Sequence, residues 1–202
     1  MDRDFSRRLF LRGSAFTTVG ATMLNTTPEF IAKAEPDGVN SPTVGPDAVP
    51  IAMQVNGVTR TLRAEPSMTL AETLRGPLGL TGTKIACNRG ACSACTVWLD
   101  GDPVCACMIL AIDVGGRSVT TIEGLADGDT LHPVQQAFID HDALQCGFCT
   151  PEMIMSCAAL LEHTADPNAS EVRAAISGHI CRCGTYPHVI AATLDAAKVR
   201  RG

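Results

Sequence analysis

Aromatic residues are nearly missing from this chain of 202 residues: one Trp, one Tyr and six Phe make up 4% of it. A core without them must be filled by Val, Ile, Leu, Ala and Met, and small cores of that kind often need a cross-link or a metal centre. Charged residues are also modest, at 18% with a net charge of −5, and Lys and Arg are scattered except near the two ends. No basic patch stands out to neutralise phosphates, which argues against a nucleic-acid partner. The weakly apolar stretch from Gly13 to Leu24 is too short and too polar to span a bilayer, so no stable membrane span is expected. There is no Gly-x-Gly-x-x-Gly and no nucleophile elbow. His132, His141, His163, His179 and His188 do not form a ligand cluster, and no binding loop holds the Cys-x-His pair that Rieske-type ligation needs. Hydrophobic residues, at 46%, are ordinary for a globular protein, and the length allows one large domain or two small ones.

The N-terminus reads as a targeting segment. Ser6-Arg7-Arg8-Leu9-Phe10-Leu11-Arg12 resembles a twin-arginine export signal, the Gly13 to Leu24 stretch follows it, and Ala32-Lys33-Ala34 offers the small residues that a signal peptidase reads. Residues 1–34 are therefore expected to be a twin-arginine signal peptide handled by the twin-arginine export machinery. Their removal leaves 11 basic and 18 acidic residues, a net of −7, in an acidic periplasmic protein. That route resembles one used by proteins that fold, and load cofactors, before crossing.

What the chain has in quantity is cysteine. Ten Cys lie at 87, 92, 95, 105, 107, 146, 149, 157, 181 and 183. An even number in an exported protein invites a disulfide reading. The cysteines are bunched, however, and Cys87-x4-Cys92-x2-Cys95 puts three thiols within nine residues, too tight for independent staples and suited to one metal centre. This is the plant-type ferredoxin spacing for a 2Fe–2S cluster, with a distant fourth Cys. Gly90, Ala91, Ser93 and Ala94 let the backbone curl close and aim amide N–H groups at sulfur. The fourth ligand comes from Cys105 or Cys107, which flank one strand end. Cys146-x2-Cys149 and Cys181-x-Cys183 form a second group, able alone to hold either a 2Fe–2S cluster or a zinc ion.

Residues 35–50, rich in Pro, Gly, Asp and Ser, read as a linker. Ile51–Val55 and Val58–Leu62 flank Asn56-Gly57 as a hairpin. Thr69 caps a short helix to Arg75, and strands are expected at Thr96–Leu99, Val104–Met108 and Arg117–Ile122. Short strands around one helix suggest a ferredoxin-like β-grasp over residues 51–126. From residue 127 to 202 four helical patterns follow: one behind Pro133, one behind Thr150-Pro151, one from Ser170 and one from Pro187. The fold class is therefore α+β, with a ferredoxin-like domain followed by a four-helix bundle that brings the Cys146 and Cys181 loops together. Cys149, just before a helix, should gain thiolate character from the helix N-terminus. Cys181 and Cys183, two apart in an extended turn, should point the same way.

These residues resemble the iron–sulfur subunit of the xanthine dehydrogenase and aldehyde oxidoreductase family of molybdenum hydroxylases, in its exported bacterial form. The stretches that carry the resemblance are Cys87-Asn88-Arg89-Gly90-Ala91-Cys92-Ser93-Ala94-Cys95-Thr96-Val97, Leu131 to Phe138, Gln145-Cys146-Gly147-Phe148-Cys149-Thr150-Pro151 and Ile180-Cys181-Arg182-Cys183-Gly184. It spans about residues 51–198. The resemblance implies two 2Fe–2S clusters. It selects Cys107, twelve residues after Cys95, to join Cys87, Cys92 and Cys95, and gives the second cluster to Cys146, Cys149, Cys181 and Cys183. It further implies that Gln145 and Cys183 approach the pterin of a molybdenum cofactor carried by a large partner subunit. Electrons would pass to FAD on another subunit or to an external acceptor. Aldehyde is the implied substrate class, with xanthine dehydrogenase and isoquinoline-type oxidoreductases as alternatives. No residue of this chain is a candidate for catalysis itself. A free-standing ferredoxin and a zinc- or disulfide-stabilised exported binding module are the competing readings.

Two residues depart from the family pattern, Ser93 and Glu152, each standing where Gly is usual. Ser93 is expected to fit and to add a hydroxyl near the first cluster. Glu152 is expected to hold a carboxylate in the first turn of its helix and so lower the potential of the second cluster. Cys157 reads as a small buried hydrophobe and Cys105 as a packing residue beside the first site.

Overall fold

The computed structural model describes residues 44–201. The twin-arginine-like segment, the Ala32-Lys33-Ala34 site and most of the expected linker lie outside the described residues. The chain enters the sheet two residues earlier than expected, because Val49 and Pro50 pair with Ala64 and Arg63.

Strands β1 (Val49–Val55) and β2 (Val58–Ala64) form the expected hairpin. Asn56 and Gly57 sit at φ 52° and 74°, the left-handed pair that a tight turn between twisted strands requires. Helix α1 (Leu70–Arg75) begins in a capping box: Glu72 N–H donates to Thr69 Oγ1, and Thr69 N–H donates to the Glu72 carboxylate. Its Leu70 and Leu74 are fully buried, each contributing on the order of 2 kcal/mol by leaving water.

After the cysteine loop come β3 (Thr96–Leu99), β4 (Asp102–Cys105), a short helix α2 (Ala111–Val114) and β5 (Ser118–Thr120). The sheet has five strands, in the order β2-β1-β5-β3-β4. β5 runs parallel to β1 and antiparallel to β3. The expected strand Val104–Met108 is shorter and lies earlier. Its second half, Ala106–Met108, winds into a 3-10 turn that carries Cys107 back over the cysteine loop. Likewise Arg117–Ile122 keeps only three paired residues before turning at Ile122–Gly124. Met53, Val55, Val97, Leu99 and Val119 fill this core with Leu70 and Leu74.

Four helices follow: α3 (Pro133–Asp140), α4 (Thr150–His163), α5 (Ala169–Ala175) and α6 (Tyr186–Arg201). His132 caps α3, its Nδ1 accepting from Val134 N–H at 3.2 Å. Burial lowers its pKa, which keeps that nitrogen an acceptor. α5 starts one residue before the expected Ser170, because the Asn168 side chain caps it by reaching both Ser170 and Glu171 N–H. Val134, Phe138, Ile154, Leu161, Val189 and Ala192 make a second core, and Cys157 is fully buried within it as expected.

The single Trp joins the two cores. Trp98 packs from β3 against the helical core, and its Nε1–H donates to the Met155 carbonyl at 2.8 Å. Replacing Trp98 with Phe keeps most of the packing and removes that bond. Urea unfolding of the variant should show a loss of about 1 kcal/mol with an unchanged slope; no loss would mean that the bond does not tie the cores.

Candidate metal centres

The first group is built by a loop whose backbone turns repeatedly into the left-handed region. Asn88, Gly90 and Ser93 have φ of 50°, 70° and 57°. The consequence is a set of amide N–H groups directed at sulfur. Arg89 and Ala91 donate to Cys87 Sγ at 3.4 and 3.3 Å, and Gly90 donates to Cys107 Sγ at 3.3 Å. Cys107 N–H in turn donates to Cys95 Sγ at 3.4 Å. Gly90 also cannot carry a Cβ without crowding Met108 Cγ, which would lie 2.9 Å away.

The thiols stand in pairs. Cys87 neighbours Cys92, and Cys95 neighbours Cys107 within hydrogen-bonding reach. Cys105 lies beside them but turns toward Ser93 Oγ, 4.0 Å away. The Ser93 hydroxyl thus faces the spare cysteine. Ser93 fits, but it holds a left-handed φ that glycine would adopt without strain.

The second group joins the loop before α4 to the loop before α6. Cys149 and Cys181 are hydrogen-bonding neighbours, and Cys146 lies close to Cys149. Cys146 is exposed and Cys183 half-buried. Gln145 is exposed beside Cys146, with Phe148 46% exposed on the same loop. Two residues that the sequence reading passed over hold this loop. Thr185 Oγ1 lies 3.3 Å from Cys181 Sγ. Tyr186 Oη accepts from Cys181 N–H at 2.7 Å and donates to the His179 carbonyl at 2.9 Å. That this is the only Tyr in the chain was the one available signal.

Electrostatics differ sharply within each group. Arg89 N–H and the Cys92 thiol hold Cys87 down from 9.0 to about 7. Burial pushes Cys95 up to about 12, with Cys107 adding to the effect. At Cys181 burial acts upward, but the Thr185 hydroxyl and N–H overcome it and bring the thiol to about 7. Cys149 was expected to gain thiolate character from its helix; burial wins and pushes it up to about 12. Glu152 departs further from expectation. It is 1% exposed, neither carboxyl oxygen has a hydrogen-bond partner, and burial lifts its pKa from 4.5 to about 8. Burial therefore favours its protonated form over the solvated carboxylate expected at the start of the helix.

All ten cysteines are free thiols, so a disulfide framework is not what the fold builds. Among the described residues, no three His, Cys, Asp or Glu side chains converge tightly enough for one metal ion. A tetrahedral zinc site needs four donors about 2.3 Å from a single point. A diiron cluster instead spreads its four thiolates over two irons. Paired thiols beneath the inward N–H groups of the first loop fit a 2Fe–2S cluster.

Comparison with known proteins points the same way. The 2Fe-2S binding domain family matches residues 121–194. The aldehyde oxidoreductase iron-sulfur-binding subunit PaoA of Escherichia coli (strain K12) is 39% identical over 211 residues, covering 97% of this chain and 90% of that protein. The nicotine 6-hydroxylase small subunit of Paenarthrobacter nicotinovorans is 47% identical over 150 residues, covering 74% and 90%. Among solved structures, quinoline 2-oxidoreductase from Pseudomonas putida 86 superposes with a TM-score of 0.74 at 42% identity, over 77% of this chain and 98% of that one.

Two outcomes follow from the charge pattern. In the metal-free protein near pH 7, iodoacetamide should label Cys87 and Cys181 well before Cys95 and Cys149, because the thiolate is the nucleophile. Peptide mass spectrometry reads the order, and equal labelling would contradict the shifts. Glu152 binds its proton more tightly in the folded chain, so its stabilising contribution is full below 4.5 and lost as pH rises toward about 8. Thermal unfolding of Glu152→Gln should lose that decline across the same window; a profile matching wild type would show that Glu152 does not cause it.

Proposed function

Since this chain belongs to the iron–sulfur subunits of aldehyde oxidoreductase and related molybdenum hydroxylases, we propose that it holds two 2Fe–2S clusters and relays single electrons out of a molybdenum-bearing large subunit. The observation that carries this reading is the pairing of thiols under amide N–H groups in the loop from Cys87 to Cys95. Cys87, Cys92, Cys95 and Cys107 are assigned to one cluster, and Cys146, Cys149, Cys181 and Cys183 to the other. A 2Fe–2S cluster supplies reversible one-electron chemistry.

The chain's own residues set the conditions for that chemistry. Arg89, Gly90 and Ala91 N–H groups neutralise negative charge on sulfur, which favours thiolate over thiol and raises the potential. Gly90 N–H on Cys107 Sγ supports Cys107, rather than Cys105, as the fourth ligand. Cys95, Cys107 and Cys149 are buried, which excludes water from the inner side of each site. On the outer side Cys146 and Gln145 face solvent. We assign that face to the large subunit, with Gln145 and Cys183 toward its pterin.

Residues 51–126 are assigned as a ferredoxin-type module and 127–202 as a helical cluster-binding module. Aldehyde oxidation is the favoured reaction of the complex, supported by the similarity to PaoA. FAD on a further subunit or an external acceptor is the proposed destination of the electrons. Residues 1–34 are assigned as a twin-arginine signal and the mature protein to the periplasm, on the order of Ser6 to Arg12, the stretch from Gly13 to Leu24 and Ala32-Lys33-Ala34 in the sequence.

The test is spectroscopic. Reduced protein should give two distinguishable paramagnetic signals. Cys107→Ser should halve the iron content and remove one signal, whereas Cys105→Ser should keep both. Iron-free, colourless protein that still binds its large subunit would overturn the assignment.

A further inference from the structure

The first site has one thiol more than a 2Fe–2S cluster uses. Beside Cys87, Cys92, Cys95 and Cys107 stands Cys105, also a free thiol. It ends β4, two residues before Cys107, and pairs with Thr96 across the sheet. It lies near enough to Cys95 for its charge to act there. A cysteine so placed is chemically able to compete for iron, so something has to decide between Cys105 and Cys107.

The two sulfurs take opposite hydrogen-bond roles. Cys107 Sγ accepts from Gly90 N–H at 3.3 Å, whereas Cys105 Sγ–H donates to Ser93 Oγ across 4.0 Å. Ser93 presents that hydroxyl at a conformational cost, since a φ of 57° suits glycine better than serine. Its backbone is held in that state by Thr96, whose N–H and Oγ1–H both donate to the Ser93 carbonyl, at 3.0 and 2.7 Å. Strain that the surroundings enforce in this way points to a use for the residue that bears it. Among the described residues, the hydrogen-bond partner of the Ser93 hydroxyl is Cys105.

We propose that Ser93 selects the fourth ligand of the first site by holding the Cys105 thiol aside, which makes Ser93 a positioning residue and Cys105 a ligand in reserve. The proposal rests on the ligand assignment above. Once Ser93 no longer holds it, Cys105 gives up its proton and binds iron as a thiolate. The Cys107 sulfur leaves as a thiolate and takes a proton up. One iron–sulfur bond forms for one that breaks, and no electron is transferred.

The experiment uses the assembled complex purified without oxygen, with iron counted and both paramagnetic signals recorded after reduction. Cys107→Ala should lose one signal and the iron that goes with it, because Ser93 still holds Cys105. Cys107→Ala combined with Ser93→Ala, which removes the hydroxyl, should regain that iron and a first-site signal shifted from the wild-type one. Ser93→Gly, which also relieves the strain, should act in the same way. Adding Cys105→Ala should abolish the gain. In the metal-free full chain, iodoacetamide should label Cys105 several-fold faster in Ser93→Ala than in wild type. Equal labelling, iron that stays low in the double variants, or iron that returns and survives the loss of Cys105 overturns selection by Ser93. Full iron in Cys107→Ala alone that depends on Cys105 overturns it too. Loss of a signal in Cys105→Ala alone would instead overturn the ligand assignment.

Discussion

The first site depends on amide N–H groups turned toward sulfur, and the rest of the sheet region is arranged to make that turn possible. A peptide loop does not present successive N–H groups to one point unless some residues leave the right-handed and extended regions. Asn88, Gly90 and Ser93 do so, and the intervening amides reach Cys87 and Cys107. Such a loop has no regular hydrogen bonding of its own, so its ends must be fixed by neighbours. Lys84 N–H bonds the Ala94 carbonyl across its base, and the 3-10 turn at Ala106–Met108 closes it from above. The early end of β4 is what allows that closure. A strand continuing through Cys107 would alternate its side chains and carry the backbone past the loop.

The second site has a different basis. It is made where two helix starts meet, and side chains rather than a nest of amides hold its shape. Thr185 steadies Cys181, and Tyr186 spans the residues around Ile180. The sheet supports this arrangement from below through Trp98, whose indole N–H reaches the Met155 carbonyl one turn beyond the start of α4. A chain so poor in aromatics uses its one Trp and its one Tyr at joints instead of in the middle of a core.

Much of this was legible in the sequence because the signals were local. The Asn56-Gly57 turn and the Thr69 cap each involve residues close in the chain, and each appears as expected. The errors arise where a distant segment decides. Strand ends at Cys105 and Thr120 were placed too late because their pairing partners run out, which no local propensity reports. The Tyr186 strap was not foreseen because its function is a contact with a loop carbonyl seven residues back. Spacing divided the cysteines into two groups but left Cys105 and Cys107 equivalent, and the family resemblance selected Cys107. What separates them is the Gly90 amide on Cys107 Sγ.

Cys149 and Glu152 show why a local electrostatic rule can reverse. Both lie at the start of α4, where helix-terminal N–H groups favour negative charge by roughly 0.3–1 kcal/mol. Both are also buried, and desolvation of an anion costs more than that. The buried thiol and the buried acid therefore keep their protons in the metal-free chain. Cys87 and Cys181, at about 7, give up their protons more readily, because Arg89 N–H and the Cys92 thiol hold Cys87 down and Thr185 outweighs burial at Cys181. On the proposed assignment each cluster would be entered through its more acidic thiol, and the buried partner would lose its proton only when iron is present to replace it. That makes the folded interior at α4 complementary to the loaded site, since burial that disfavours a bare thiolate also shields a metal-bound one from water.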